Sequence, residues 1–219
     1  MRTMLVVLCM GFVFLPLAIG AQEQEQISKY GYSYFTPPEN VGTVTTVVGK
    51  LEPPIGFTYP FTVNFNAYEY TFYLQTTIIA IVPGPFSVDY YYSDAEIVIY
   101  EDPAKNANYG INPPNATSPS TFRNGTIALR GMLSNIVRSD DPFGFFDPTL
   151  IGDCTFTDGT KFYELTQGPG WTMHGGLILN DPTTPSGYKH AWVMKTFFTG
   201  PVSTQRSTWS GIKALYEIE

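Results

Sequence analysis

The chain has few of the residues that usually carry chemistry or cross-link small exported folds. It contains two cysteines and two histidines in 219 residues, and only 14% of its residues are charged. Cys9 falls in an apolar stretch at the start, so Cys154 is the single cysteine beyond it, and no intramolecular disulfide is expected in the folded part. The fold must then rest on its core, and Cys154 reads as a small buried hydrophobe with no assigned chemistry. The chain also lacks a G-x-S-x-G elbow, a Walker loop, an H-E-x-x-H pair and any C-x-x-C spacing. Gly168-Pro169-Gly170 and Gly175-Gly176 lack the spacing of a phosphate loop and read as a turn and a close-packed strand. Lys and Arg are scattered and the formal charge is −7, which argues against nucleic acid and anionic membrane surfaces as partners.

One long apolar run exists, at the very start. Arg2, the apolar stretch Met4 to Leu17, and Ala18-Ile19-Gly20 have the three parts of a secretory signal peptide, with cleavage expected before Ala21. The run is shorter than the roughly 20 residues that a spanning helix needs. Residues 1–20 are therefore read as a leader, 21–42 as a flexible N-terminal segment, and 43–219 as one β domain, secreted or periplasmic and without a transmembrane segment once the leader is removed.

What the sequence has in quantity is aromatic side chains, 16% of the total, and alternation with a period of two. From Tyr68 to Val82 the even positions are mostly apolar and the odd ones mostly polar, the pattern of a long half-buried strand. Pro83-Gly84-Pro85 ends it, and Phe86 to Glu101 returns beside it with a bulge or break near Ser93-Asp94. Thr126 to Arg138 alternates again, placing Arg130 and Arg138 on the polar face. Asp158-Gly159 has the chemistry of a two-residue hairpin between 154–157 and 160–163. Trp171 to Leu179 pairs with Tyr188 to Phe198, Thr43 to Leu51 opens the domain, and Thr208 to Ile218 closes it. No stretch past the leader has a 3.6-residue period with caps at both ends. The expectation is an all-β domain, an antiparallel barrel of about eight to ten long strands, with a two-sheet sandwich as the alternative.

Three long connections depart from the tight turns: 52–66, 102–123 and 139–153. The third carries Phe143, Phe145 and Phe146, which either plug one end of the domain or form an adhesive rim. The aromatic surplus points to a non-catalytic protein that binds an apolar or glycan-like ligand, with Trp171, Tyr188, His190 and Trp192 as the binding surface and the three phenylalanines as a lid.

Two other functions remain open from the residues. Asp94 and Glu96 stand two apart on one strand, the placement an acid and base need for an enzyme acting on a sugar or lipid. Alternatively, Tyr-rich strand edges could assemble a structural surface protein. No cofactor and no metal site is nominated. By parity His174 and His190 point to opposite sides of their sheet, and the series Asp140, Asp141, Asp147, Asp153 and Asp158 is better explained by turns than by calcium. Asn115 and Asn124 head formal glycosylation sequons.

Overall fold

The computed structural model describes residues 25–110, 119–165, 170–178 and 181–199. They form nine strands: β1 Gln26–Tyr34, β2 Val44–Leu51, β3 Glu69–Pro83, β4 Val88–Tyr92, β5 Ala95–Asp102, β6 Thr126–Asp140, β7 Thr149–Asp158, β8 Trp171–Ile178 and β9 His190–Phe198. Every pairing is antiparallel, and β1 meets both β2 and β9, so the sheet closes on itself as an eight-strand barrel with one extra strand. That extra strand arises where the Phe86 to Glu101 segment breaks at Ser93-Asp94. β5 pairs with the first half of β3 and β4 with the second, and both pair with β6 on their other side. Among the described residues each strand has a neighbour on both sides. Closure leaves no open edge for strand-to-strand assembly there.

The segment 21–42, read from sequence as flexible, instead supplies the strand that closes the barrel. Its inward face is Ile27, Lys29, Gly31 and Ser33, and its outward face is Tyr30, Tyr32 and Tyr34. The polar and small residues face in while the aromatics face out, which hides the strand from a hydrophobicity pattern. Tyr32 is nonetheless buried. On the outer wall, Tyr109 and Phe122 from the described parts of the β5–β6 connection cover Tyr32 together with Tyr188 from the β8–β9 connection. The expected strand at 208–218 lies outside the described residues.

Inside, the layers are filled by side chains. Phe72, Ile97, Ile99, Leu129, Leu133, Met173 and Met194 are all buried, and Gly31 and Gly49 face each other across β1 and β2. A Cβ on Gly49 would stand 2.6 Å from the Phe72 ring and 2.2 Å from the Tyr30 carbonyl oxygen, so only glycine admits that packing. One end of the barrel, where β1 starts and β9 finishes, is stoppered by Phe61, Val63 and Phe65 from the β2–β3 connection and by Phe162 and Leu165.

Two local irregularities reverse the expected faces. Asn135 adopts φ +51° in a bulge between Ser134 and Val137, which turns Arg138 inward although simple alternation puts it on the polar side. A bulge after Ile78 does the same in β3, leaving Val82 exposed while Ile81 packs on the core. The Asp158-Gly159 hairpin does not form. Thr160 and Lys161 donate their backbone N–H groups to Ile127 and Ala128 and so continue along β6. Gly159 is required because a side chain would meet the Ala128 carbonyl at 2.3 Å, not because the chain reverses there.

Lys29 is the anomaly of the interior. Its ammonium group is fully buried with Thr196 Oγ1 at 2.5 Å and has no ion pair among the described residues, and burial pulls its pKa from 10.5 to about 8. A shift of that size corresponds to about 3 kcal/mol against the fold whenever the lysine is charged in both states. Because the folded value lies below the unfolded one, this penalty is complete below pH 8 and fades as pH rises toward 10.5. Lys29→Met combined with Thr196→Val, which removes both polar partners, is expected to stabilise the protein by about 1–3 kcal/mol at pH 7. Denaturant unfolding at pH 7 and pH 10 checks this: the gain should shrink at the higher pH, and an equal gain at both would contradict it.

Candidate functional site

The opposite end of the barrel carries the connections 35–43, 84–87 and 141–148 and residues 181–189, and its mouth is crossed by ionic hydrogen bonds. Arg138, turned inward by the Asn135 bulge, grips Glu39 with two parallel bonds, Nη1 to Oε1 at 2.7 Å and Nη2 to Oε2 at 2.8 Å. It also donates to Tyr92 Oη at 3.0 Å and Asp140 Oδ2 at 3.0 Å, its Nε lies 2.8 Å from Asp140 Oδ1, and its guanidinium sits 3.9 Å from the centre of the Tyr90 ring. The side chain is 2% exposed. Bidentate pairing and stacking suit arginine and not lysine. Burial pushes the Asp140 carboxyl above its ordinary value, and the Arg138 charge offsets only part of that. The Glu39 clasp fastens the 35–43 connection over the mouth.

Behind the clasp lies a small set of buried polar atoms. Ser33 Oγ, Thr45 Oγ1, His190 Nδ1 and Trp192 Nε1 have no hydrogen-bond partner among the described residues. His190 packs against Phe35 at 5.5 Å, and burial holds its pKa below the ordinary value, so it is neutral near pH 7.

Outside the clasp, the 141–148 connection is built around one carboxylate. Asp141 accepts the backbone N–H groups of Phe143 at 2.8 Å, Phe145 at 2.7 Å and Phe146 at 3.1 Å. These bonds hold its carboxyl below the usual carboxylate range, and Gly144 takes φ +71° so that the chain can wrap the acid. The consequence is that three phenylalanines stand outward, 62%, 78% and 79% exposed, with Phe143 and Phe145 stacked at 6.2 Å. Phe86, delivered by Pro83-Gly84-Pro85, joins them at 80% exposed. The four rings and Asp141 line a cavity of about 310 Å³. Left in water, each ring forgoes roughly 2 kcal/mol of burial, and the Asp141 bonds are what organise the backbone that carries three of the four.

The residues singled out in the sequence are dispersed by the fold. Trp171 is buried in the stoppered half, edge-on to Phe156 and Phe198 at 5.5 Å each. Trp192 and His190 face the interior on β9, whereas Tyr188 lies under the outer flap and donates to the Tyr109 carbonyl at 3.1 Å. Only Phe143, Phe145 and Phe146 are brought together on an accessible surface. His174 points outward against Phe197, away from His190, in keeping with the parity. Asp94 and Glu96 are exposed, and Glu96 pairs with Arg130 at 3.5 Å.

Of the five aspartates weighed for calcium, Asp140 is engaged by Arg138, Asp141 by its loop, and Asp153 by Asn135 at 2.7 Å. Among the described residues no cluster of three metal-ligating side chains forms, and no helix is long and apolar enough to cross a membrane. Burial pushes the Cys154 thiol up to about 12, as suits an unreactive core residue. Asn124 is exposed on the β5–β6 connection, and Asn115 lies outside the described residues.

Sequence reasoning missed Arg138, Glu39 and Phe86. Phe86 could have been found, since an aromatic directly after Pro-Gly-Pro at a hairpin tip has no core to reach. Arg138 could not, because a single αL residue at Asn135 reverses its direction.

Arg138→Met should destabilise the fold by about 3 kcal/mol or more, because it leaves the Glu39 and Asp140 carboxylates facing each other without a counter-charge. The double variant with Glu39→Gln should recover part of that loss. Equal thermal midpoints for wild type and Arg138→Met would show that the clasp is dispensable.

No family model, curated protein or solved structure matches this chain, so its function is read from these residues alone.

Proposed function

We propose that this is an exported, non-catalytic β-barrel protein that binds an apolar ligand at the phenylalanine rim of the barrel mouth. One observation carries the reading: four phenylalanines from two connections surround a cavity of about 310 Å³, and three of them are carried by a turn built on Asp141 hydrogen bonds. Small-molecule sites are mostly apolar concavities with few polar groups, and an exposed apolar cluster held against its own burial marks such a surface. An apolar ligand suits it better than a glycan. The one polar side chain in the lining is Asp141, whose oxygens already serve the loop, so little remains to recognise a set of sugar hydroxyls. Neither Asp94 nor Glu96 lines this cavity.

A titration with N-phenyl-1-naphthylamine, a neutral apolar fluorophore, tests the rim. Wild type should give saturable enhancement, and Phe143→Ser, Phe145→Ser and Phe146→Ser together should weaken binding by about tenfold or more. The melting temperature should stay level, since these rings support little of the core. Unchanged affinity in the triple variant would refute the site.

Export rests on the leader at residues 1–20 and is tested by the intact mass of the protein recovered outside the cytoplasm. The mass should correspond to a chain starting at Ala21. A mass that includes Met1 to Gly20 would contradict the cleavage.

A further inference from the structure

We propose that the ligand taken at the rim is a cationic amphiphile, with its apolar chain among the phenylalanines and its ammonium group in the acidic cavity beside them. This inference rests on the rim being a ligand site and adds the charge of the ligand.

A second cavity, of about 500 Å³, adjoins the first and shares Asp141 and Phe146 with it. Its walls include Tyr90, Asp140 and Asp147. The charges do not cancel. Asp140 is answered by Arg138, which is itself also bound to Glu39. Asp141 is bonded to neutral backbone N–H groups that leave its full negative charge in place, and Asp147 is exposed and makes no ion pair among the described residues. No lysine or arginine lines either cavity. An apolar groove thus opens onto a chamber whose uncompensated charge is negative.

The aromatic walls favour the same sign. Ring faces carry partial negative charge and attract ammonium or guanidinium groups within about 6 Å. Arg138 already shows this, its guanidinium 3.9 Å from the centre of the Tyr90 ring. A molecule with both a hydrocarbon chain and a cationic head matches both cavities at once. A neutral amphiphile matches only the first, and an anionic one is repelled by Asp141 and Asp147.

Calorimetric titration of the folded protein with three decyl compounds, each kept below its micelle concentration, separates these cases: decyltrimethylammonium, decyl maltoside and decanoate. The cation is expected to bind about five- to tenfold tighter than the maltoside, with decanoate the weakest. Asp147→Asn should cut the cation's advantage about threefold, and 0.5 M NaCl should narrow it in wild type without any substitution. Equal affinities for all three would overturn the cationic assignment and leave the apolar rim standing. Binding of none of them would remove the rim reading as well. A preference for the cation that persists in the Phe143→Ser, Phe145→Ser and Phe146→Ser variant would place the site elsewhere and overturn the proposal.

Discussion

Closing antiparallel strands into a ring forces alternate side chains into one narrow interior, and the rest of this structure is set by how that space is filled. In an eight-strand barrel the interior is just wide enough for side chains to pack it. Here Phe72 lies against Gly49, which pairs with Gly31, isoleucines, leucines and methionines fill the layers on either side, and aromatic residues from the β2–β3 connection stopper one end. With the described interior packed by side chains, the proposed binding role falls to the mouth, where the phenylalanine rim stands.

The mouth is where the barrel departs from an apolar core. A buried arginine shared between two carboxylates and a tyrosine is costly to desolvate, and replacing such a cluster by hydrocarbon is often neutral or stabilising. Its retention suits a structural role with a directional component. The two-pronged Glu39 grip fixes where the 35–43 connection crosses, and Asp140 ends β6 in a defined position, so that the next residue, Asp141, starts the phenylalanine loop from a rigid base. Rigid support beneath an exposed loop is what allows apolar side chains to be held in water and kept from collapsing.

Much of the barrel was legible in the residues because alternation and turn chemistry agree along most of the wall. The irregularity at Ser93-Asp94 and the opposed histidines follow from parity, and the β8–β9 pair from two extended runs flanking Asp181-Pro182. What escaped did so for three physical reasons. β1 puts serine, glycine and lysine inside and tyrosines outside, inverting the usual contrast. The Asn135 bulge shifts one residue and so reverses every side chain beyond it, Arg138 included. Asp158-Gly159 has hairpin chemistry, yet the glycine serves close backbone approach to β6. The candidate site divides in the same way. The phenylalanines of the 141–148 connection were visible as too apolar for a free loop, whereas Trp171 and Trp192, whose rings bury area and also carry an N–H, were drawn into the core that the sheet had to fill.

Ligands are proposed to meet this barrel at the rim and not within it. Two-dimensional amide NMR of the folded protein during titration with N-phenyl-1-naphthylamine tests it residue by residue. Shifts confined to residues 84–87 and 141–148 are the predicted result. Shifts centred on interior positions such as Phe72, Leu129 and Met173, with the rim unmoved, would contradict it.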